Sequence, residues 1–426
     1  MRNEALYKKT VLPSGLRIVT ENLPASKSVS IGIWVNVGSR DEPTEENGIS
    51  HFIEHMAFKG TKKRDARRIA HELESVGGSL NAFTSREQTC YYARILDRHL
   101  DRAVDVLADI LKNSLFDPQE LEKEKNVILE EIKDVEDSPA DWVHDLFAEN
   151  IWKDHPLGKP IIGRRERIKS FDRSRLLFYL SSKYLAEQVV VAASGNVSHS
   201  RLVNLVRAKL VFPSANGAMP LNRFAPGETG DRSVKSKETS QAHVCLGVPS
   251  VSFKDRRRYA CLILNTVLGG GMSSRLFQKV REERALAYSI YSYHDFYEDT
   301  GVLGIYLATS PEQVAPAVDL VLDELVKIKS GKLSRSEMES AKEQLKGNLV
   351  LGLESTSSRM NRLARNEILL GEHVPLKKAL EAIDAVKPSE VADQTNTLFS
   401  ESRFSASFLG SLDSDVLNKI DWAKIS

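Results

Sequence analysis

Two periods organise the apolar and polar positions of this chain. From Val29 to Gly38 the run VSIGIWVNVG is rich in β-branched and aromatic residues and predicts a strand. The stretch around Gly48 to Lys59 has helical spacing, with Thr44 as N-cap, Glu45 and Glu46 in the first turn and Gly60 as the stop. SLNAF and QTCYYARI predict two strands of a hairpin turning around Ser85 to Glu87. In LEKEKNVILEEIKDVED, residues Leu121, Ile128, Ile132 and Val135 form one helical stripe.

The same order of elements comes twice. AHVCLGVPS (Ala242 to Ser250) predicts a strand and Arg258 to Leu268 a helix, echoing the opening of the first half. Near their ends, the stretches from Val189 and from Phe404 each predict strand, glycine turn and amphipathic helix, with Gly195 and Gly410 in matching places. Between them PSANGAMPLNRFAPGETG is rich in proline and glycine, which predicts a linker over 213–231. The expected architecture is therefore α+β: two homologous domains, 1–212 and 232–426, each an antiparallel-rich sheet with helices in an α/β-roll arrangement.

Composition narrows the function. At 426 residues the chain exceeds one ordinary core, and its 41% hydrophobic and 27% charged residues fit a soluble protein with no membrane-length apolar run. Lys plus Arg (59) nearly balances Asp plus Glu (58), so no global field favours nucleic acid or an anionic membrane. MRNEALYKKT precedes no apolar stretch of signal-peptide length, and Cys90, Cys245 and Cys261 form no paired or CxxC pattern. A reducing, cytoplasmic setting is the expectation.

The chemistry concentrates in GISHFIEHMAFKG. His51 and His55 stand one helical turn apart with Glu54 on the same face. Two imidazoles so spaced can bind one Zn²⁺, leaving positions for a third side chain and a water, and the neighbouring carboxylate can take a proton from that water. The other histidines (His71, His99, His144, His155, His199, His243, His294, His373) have no such spacing and read as surface or satisfied buried residues. A third ligand should come from the acid-rich helix. Glu124 and Glu131 border its apolar stripe, whereas Glu122 and Glu130 point away, so the wheel leaves Glu124 or Glu131. The triple glycine Gly269 to Gly271 lacks the spacing and lysine of a phosphate loop; it reads first as a helix stop and second as a place for close approach of a substrate backbone.

HFIEHMAFKGT, GGSLNAFTSREQTCYYARI, VILEEIKDVED, HPLGKPIIG and LGGGMSSRLFQKVREERALAYSIYSY together resemble the pitrilysin family of zinc metallopeptidases, in particular its bacterial members and the β-subunit of the mitochondrial processing peptidase. The resemblance implies one Zn²⁺ per subunit on His51, His55 and Glu131, Glu54 as general base, and Glu124 orienting a liganding imidazole. It also implies peptide binding by strand addition at Asn81, Ala82 and Phe83, and help from Arg281 and Tyr288 at the substrate carbonyl. A chain of this length that holds both sets of residues is expected to act as a clamshell homodimer around a chamber for peptides. The other readings are a non-catalytic assembly subunit of the same fold, or the active half of a heterodimer with a related chain.

Overall fold

In a computed structural model the described residues are 6–214, 221–227 and 230–425, so residues 215–220, 228 and 229 of the expected linker lie outside them. The N-terminal half runs β1 (Tyr7–Val11), β2 (Arg17–Asn22), β3 (Ser28–Val35), α1 (Ile49–Ala57), α2 (Ala66–Glu74), β4 (Ser79–Thr84) and β5 (Thr89–Leu96). It continues through α3 (Leu100–Lys112), α4 (Pro118–Asp137), α5 (Pro139–Ile151), α6 (Arg165–Ser170), α7 (Arg173–Lys183), β6 (Val189–Gly195) and α8 (His199–Lys209). The C-terminal half comprises β7 (Arg232–Ser236), β8 (Ala242–Ser250), α9 (Arg258–Gly269), β9 (Ser289–Phe296), β10 (Gly301–Thr309) and α10 (Val314–Lys329). Then follow α11 (Arg335–Gly352), α12 (Thr356–Leu370), α13 (Leu376–Ala385), α14 (Pro388–Leu398) and β11 (Ser405–Gly410).

These elements gather into two compact units. The first holds the described residues up to Ile132, Lys159 to Arg223, and Leu351 to Pro375; the second holds Lys133 to Gly158, Phe224 to Val350, and the described residues from Leu376 onward. One switch between units, Arg223 to Phe224, falls in the expected linker. The others carry α12 to the first unit and α5 to the second.

In the first unit the sheet order is β1-β2-β6-β3-β5-β4. Strands β2 and β6 are parallel and the remaining neighbours antiparallel. Alternation along β3 explains its continuous apolar run: Ile31, Ile33 and Val35 enter the core with α1, α3 and α4, while Trp34 enters another with Met360, Leu363 and Ala364 of α12. Both faces of the strand are thus dry.

The second unit repeats this pattern with one strand fewer, in the order β7-β11-β8-β10-β9, again with a single parallel pair, β7 and β11. Val244, Leu246 and Val248 of β8 face the core with α9 and α10, while Cys245 faces Val143, Phe147 and Ile151 of α5. The structure is α+β, two units built on one topology. It differs from expectation after Gly410, where Ser414–Lys419 is a 3-10 segment: the Asp413 carboxylate accepts from the Asp415 N–H at 3.0 Å, a local bond that competes with a helical turn.

Gly195 and Gly410 end equivalent strands with φ of +126° and +155°. A Cβ on Gly195 would lie 2.2 Å from the Ser28 carbonyl oxygen, and one on Gly410 2.9 Å from Ala242 Cα. Gly195→Ala and Gly410→Ala should each destabilise by about 2 kcal/mol or more in urea unfolding. Gly371→Ala, at φ +69° with nothing within 4 Å of its Cβ, should cost only about 1 kcal/mol; equal costs at all three would show that close strand approach is not what requires the glycines.

Candidate metal centre

Helix α1 buries Ile49, Phe52, Ile53 and Met56, which leaves His51, Glu54 and His55 half-buried at its edge. Its start is not capped by Thr44, which lies in a separate 3-10 turn, Thr44–Glu46. Gly48 begins the helix at φ +96°, in close contact with Gly163. No acidic residue stands in the first turn of α1; instead the buried carboxylate of Glu42 accepts from the backbone N–H of Gly48 (2.8 Å) and Ser50 (2.9 Å) and from the Asn47 amide (3.2 Å). Burial raises the Glu42 carboxyl to about 7 despite these bonds.

Helix α4 brings the acid partners. Its buried positions are Leu121, Glu124, Ile128 and Ile132, and its leucine and isoleucines share one core with Phe52, Ile53 and Met56 of α1. Glu131 Oε2 lies 3.9 Å from His51 Nε2 and 3.6 Å from His55 Nε2. One ligand atom from each of these three residues lies within 4.8 Å of the others, the one such group of three or more among the described residues. A tetrahedral divalent ion with N and O ligands at about 2.0–2.2 Å sets those atoms roughly 3.3–3.6 Å apart, so the donor set fits with little adjustment.

Two turns N-terminal to Glu131, Glu124 is 3% exposed and joins two partners: His55 Nδ1 at 2.8 Å and Lys59 Nζ at 2.6 Å. Burial works to raise its carboxyl, but these hydrogen bonds and charges win and hold it below its ordinary value. An ionised acceptor there keeps the proton on Nδ1 and presents the Nε2 lone pair to a metal. Burial likewise opposes a charge on His55, yet the Glu124 bond and the charges of Glu131, Glu124 and Glu54 outweigh it and raise the imidazole. His51 has no such anchor. Its Nδ1 is buried without a partner among the described residues, and burial, then His55, lowers it to about 3.

Burial raises Glu54 above its ordinary value, opposed by the Thr84 hydroxyl, which donates to Oε2 at 2.5 Å, and by His55. Asn81, Ala82 and Phe83 lie on β4, the terminal strand of its sheet, where Asn81 Oδ1 accepts from the Ala82 N–H at 2.8 Å and Phe83 is 39% exposed. In the second unit Arg281 and Tyr288 come together, the guanidinium 5.4 Å from the tyrosine ring centroid, and Tyr288 is 74% exposed. Gly270 caps α9 as the glycine run predicts, and that helix carries neither histidine nor acid.

Sequence reasoning missed Glu42, Lys59 and Thr84. Two of them had a signal: Lys59 follows His55 by one turn, and alternation from Leu80 and Ala82 puts Thr84 on the face toward α1. Glu42 had none, because its role depends on a chain reversal outside the helix.

Comparison with known proteins identifies the family. Residues 17–165 match the family described as Insulinase (Peptidase family M16), and residues 170–345 match the Peptidase M16 inactive domain. The chain is 44% identical over 396 residues to the uncharacterized zinc protease YmxG of Bacillus subtilis, covering 93% of this chain and 96% of that one. It is 43% identical over 392 residues to an uncharacterized zinc protease of Streptomyces coelicolor, covering 90% and 85%. In fold it is similar to a protease from Helicobacter pylori (TM-score 0.90, 23% identity, 95% and 99% covered) and to a peptidase M16 inactive domain from Pseudomonas fluorescens (TM-score 0.87, 18% identity, 96% and 98% covered).

Glu124→Gln should weaken Zn²⁺ binding about 10- to 100-fold in chelator competition, and unchanged affinity would show that Glu124 does not support His55. Acidification should also weaken binding in the wild type, because proton and metal compete for a His55 whose proton affinity is raised. Zinc titrations at several pH values should show affinity falling as pH drops through that imidazole's titration; pH-independent binding would be the contrary result.

Proposed function

The chain belongs to peptidase family M16, and from that we propose that it is a zinc-dependent endopeptidase acting on peptides or unfolded segments. The observation that carries the reading is the convergence of His51, His55 and Glu131, with Glu54 beside them and Glu124 behind His55.

His51, His55 and Glu131 would hold the ion, which when bound supplies the Lewis acidity that makes water nucleophilic near neutral pH. The remaining work belongs to the protein. Glu54 takes the proton of the attacking water and returns it to the leaving amine, a task suited to a carboxylate whose proton affinity burial has raised. The outer edge of β4 at Asn81 to Phe83 would pair with an extended peptide, fixing its register by backbone hydrogen bonds.

Arg281 and Tyr288 offer N–H and O–H donors for the substrate carbonyl, where negative charge develops. We place them across a homodimer, so that Arg281 and Tyr288 of each subunit serve the zinc site of the other and the two chains enclose a chamber. The support is an exposed tyrosine beside an arginine in a unit whose helix α9 carries no ligand set. A cytoplasmic location accords with Cys90, Cys245 and Cys261, all free and buried. Among the described residues no helix is long and apolar enough to cross a membrane.

Glu54→Gln should retain zinc but lose about 10³-fold or more in peptide cleavage, and comparable activity would remove Glu54 from the base role. Mixing Arg281→Ala with Glu54→Gln chains should recover part of the activity. Verified mixed dimers with no recovery would overturn the shared-site arrangement.

A further inference from the structure

The Thr84 hydroxyl lies at an unusual junction. Along β4, Leu80, Ala82 and Thr84 point to one face, where Leu80 and Ala82 pack on the core that includes α1. Asn81 and Phe83 point to the other face, with Phe83 near the Tyr92 ring. Thr84 thus reaches α1 from the strand whose free edge is offered to substrate, and its hydroxyl donates to Glu54 Oε2 at 2.5 Å. Glu54 Oε1 has no hydrogen bond among the described residues, so one carboxylate oxygen is fixed and the other is open to a proton.

The chain beyond Thr84 is firmly held. Ser85 N donates to the Gln88 carbonyl at 2.7 Å, and the Ser85 hydroxyl both donates to that carbonyl (2.9 Å) and accepts from Gln88 N (3.1 Å). Arg40 N donates to the Arg86 carbonyl at 2.7 Å. One end of β4 is therefore pinned by this turn, while Asn81 to Phe83 have strand β5 on one side alone. A peptide pairing with the free side supplies the missing restraint along the strand.

We propose that Thr84 is a positioning residue that couples docking of an extended peptide on β4 to the orientation of Glu54. A well-paired peptide straightens and stiffens β4, and the Thr84 hydroxyl passes that order to the carboxylate one bond away. A short substrate that cannot pair along the strand leaves the carboxylate less well held. The coupling rests on the peptidase reading above and acts on turnover rather than on affinity.

The test compares kcat and KM for wild type, Thr84→Val, Thr84→Ala and Thr84→Ser on a cleavable peptide of about ten residues, long enough to span a strand, and on a blocked dipeptide, with zinc content and Tm measured alongside. Thr84→Val should lower kcat on the long peptide about tenfold or more, with KM within about twofold and zinc and Tm unchanged. Thr84→Ser should restore most of the loss, and the dipeptide should lose clearly less. If the valine variant does not fold, Thr84→Ala gives the same reading. Unaltered kcat, equal losses on both substrates, a serine variant as impaired as valine, or loss of zinc overturns the proposal. Wild type must cleave the long peptide and Glu54→Gln must not. A wild type that cleaves nothing ends the peptidase reading itself, whereas an active wild type indifferent to Thr84 ends this inference alone.

Discussion

A carboxylate from α4 held against two imidazoles on α1 is the arrangement on which the site of the first unit depends. The groups are half-buried, where an unpaired charge is costly, so a charge there requires a partner and His51, with none on Nδ1 among the described residues, is held neutral by burial. Glu124 meets this requirement by binding His55 and Lys59 at once. Glu131 is left facing both Nε2 atoms, and the shared apolar core of α1 and α4 fixes the separation of the helices. Packing sets the distance, and the charges set which atoms face the metal.

The duplicated topology shows how a site can be confined to one copy. Five strands come in the same order in both units, with one parallel pair and a glycine of positive φ ending the equivalent strands β6 and β11. Helix α9, which follows β8 as α1 follows β3, has the sequence RYACLILNTVLG, without an imidazole or a carboxylate. The fold persists with the ligand set absent, since apolar burial rather than the site holds the sheet and helices together.

Much of this was legible in the chain because it is local. The i, i+4 spacing of His51 and His55, the wheel position of Glu124 and Glu131, and the hairpin of β4 and β5 all follow from periodicity. Long-range events were not. That α12 covers the face of β3 bearing Trp34, and α5 the face of β8 bearing Cys245, depends on which helix reaches which sheet, and neither helix carries a mark of its destination. The same applies to Glu42, whose carboxylate caps α1 from across a turn and displaces the local cap that Thr44 suggested. The expected helix after Gly410 failed for a different reason, since the Asp413 carboxylate bonds the Asp415 N–H and draws the backbone into a tighter turn.

Crystals of the zinc-loaded protein, measured on both sides of the zinc absorption edge, test directly whether Glu131 completes the site of His51 and His55. One anomalous peak per chain is expected, bounded by His51 Nε2, His55 Nε2 and a Glu131 oxygen at about 2.0–2.2 Å, with Glu124 still bonded to His55 Nδ1. A peak elsewhere, or one at the histidines with the Glu131 carboxylate turned away, would contradict it.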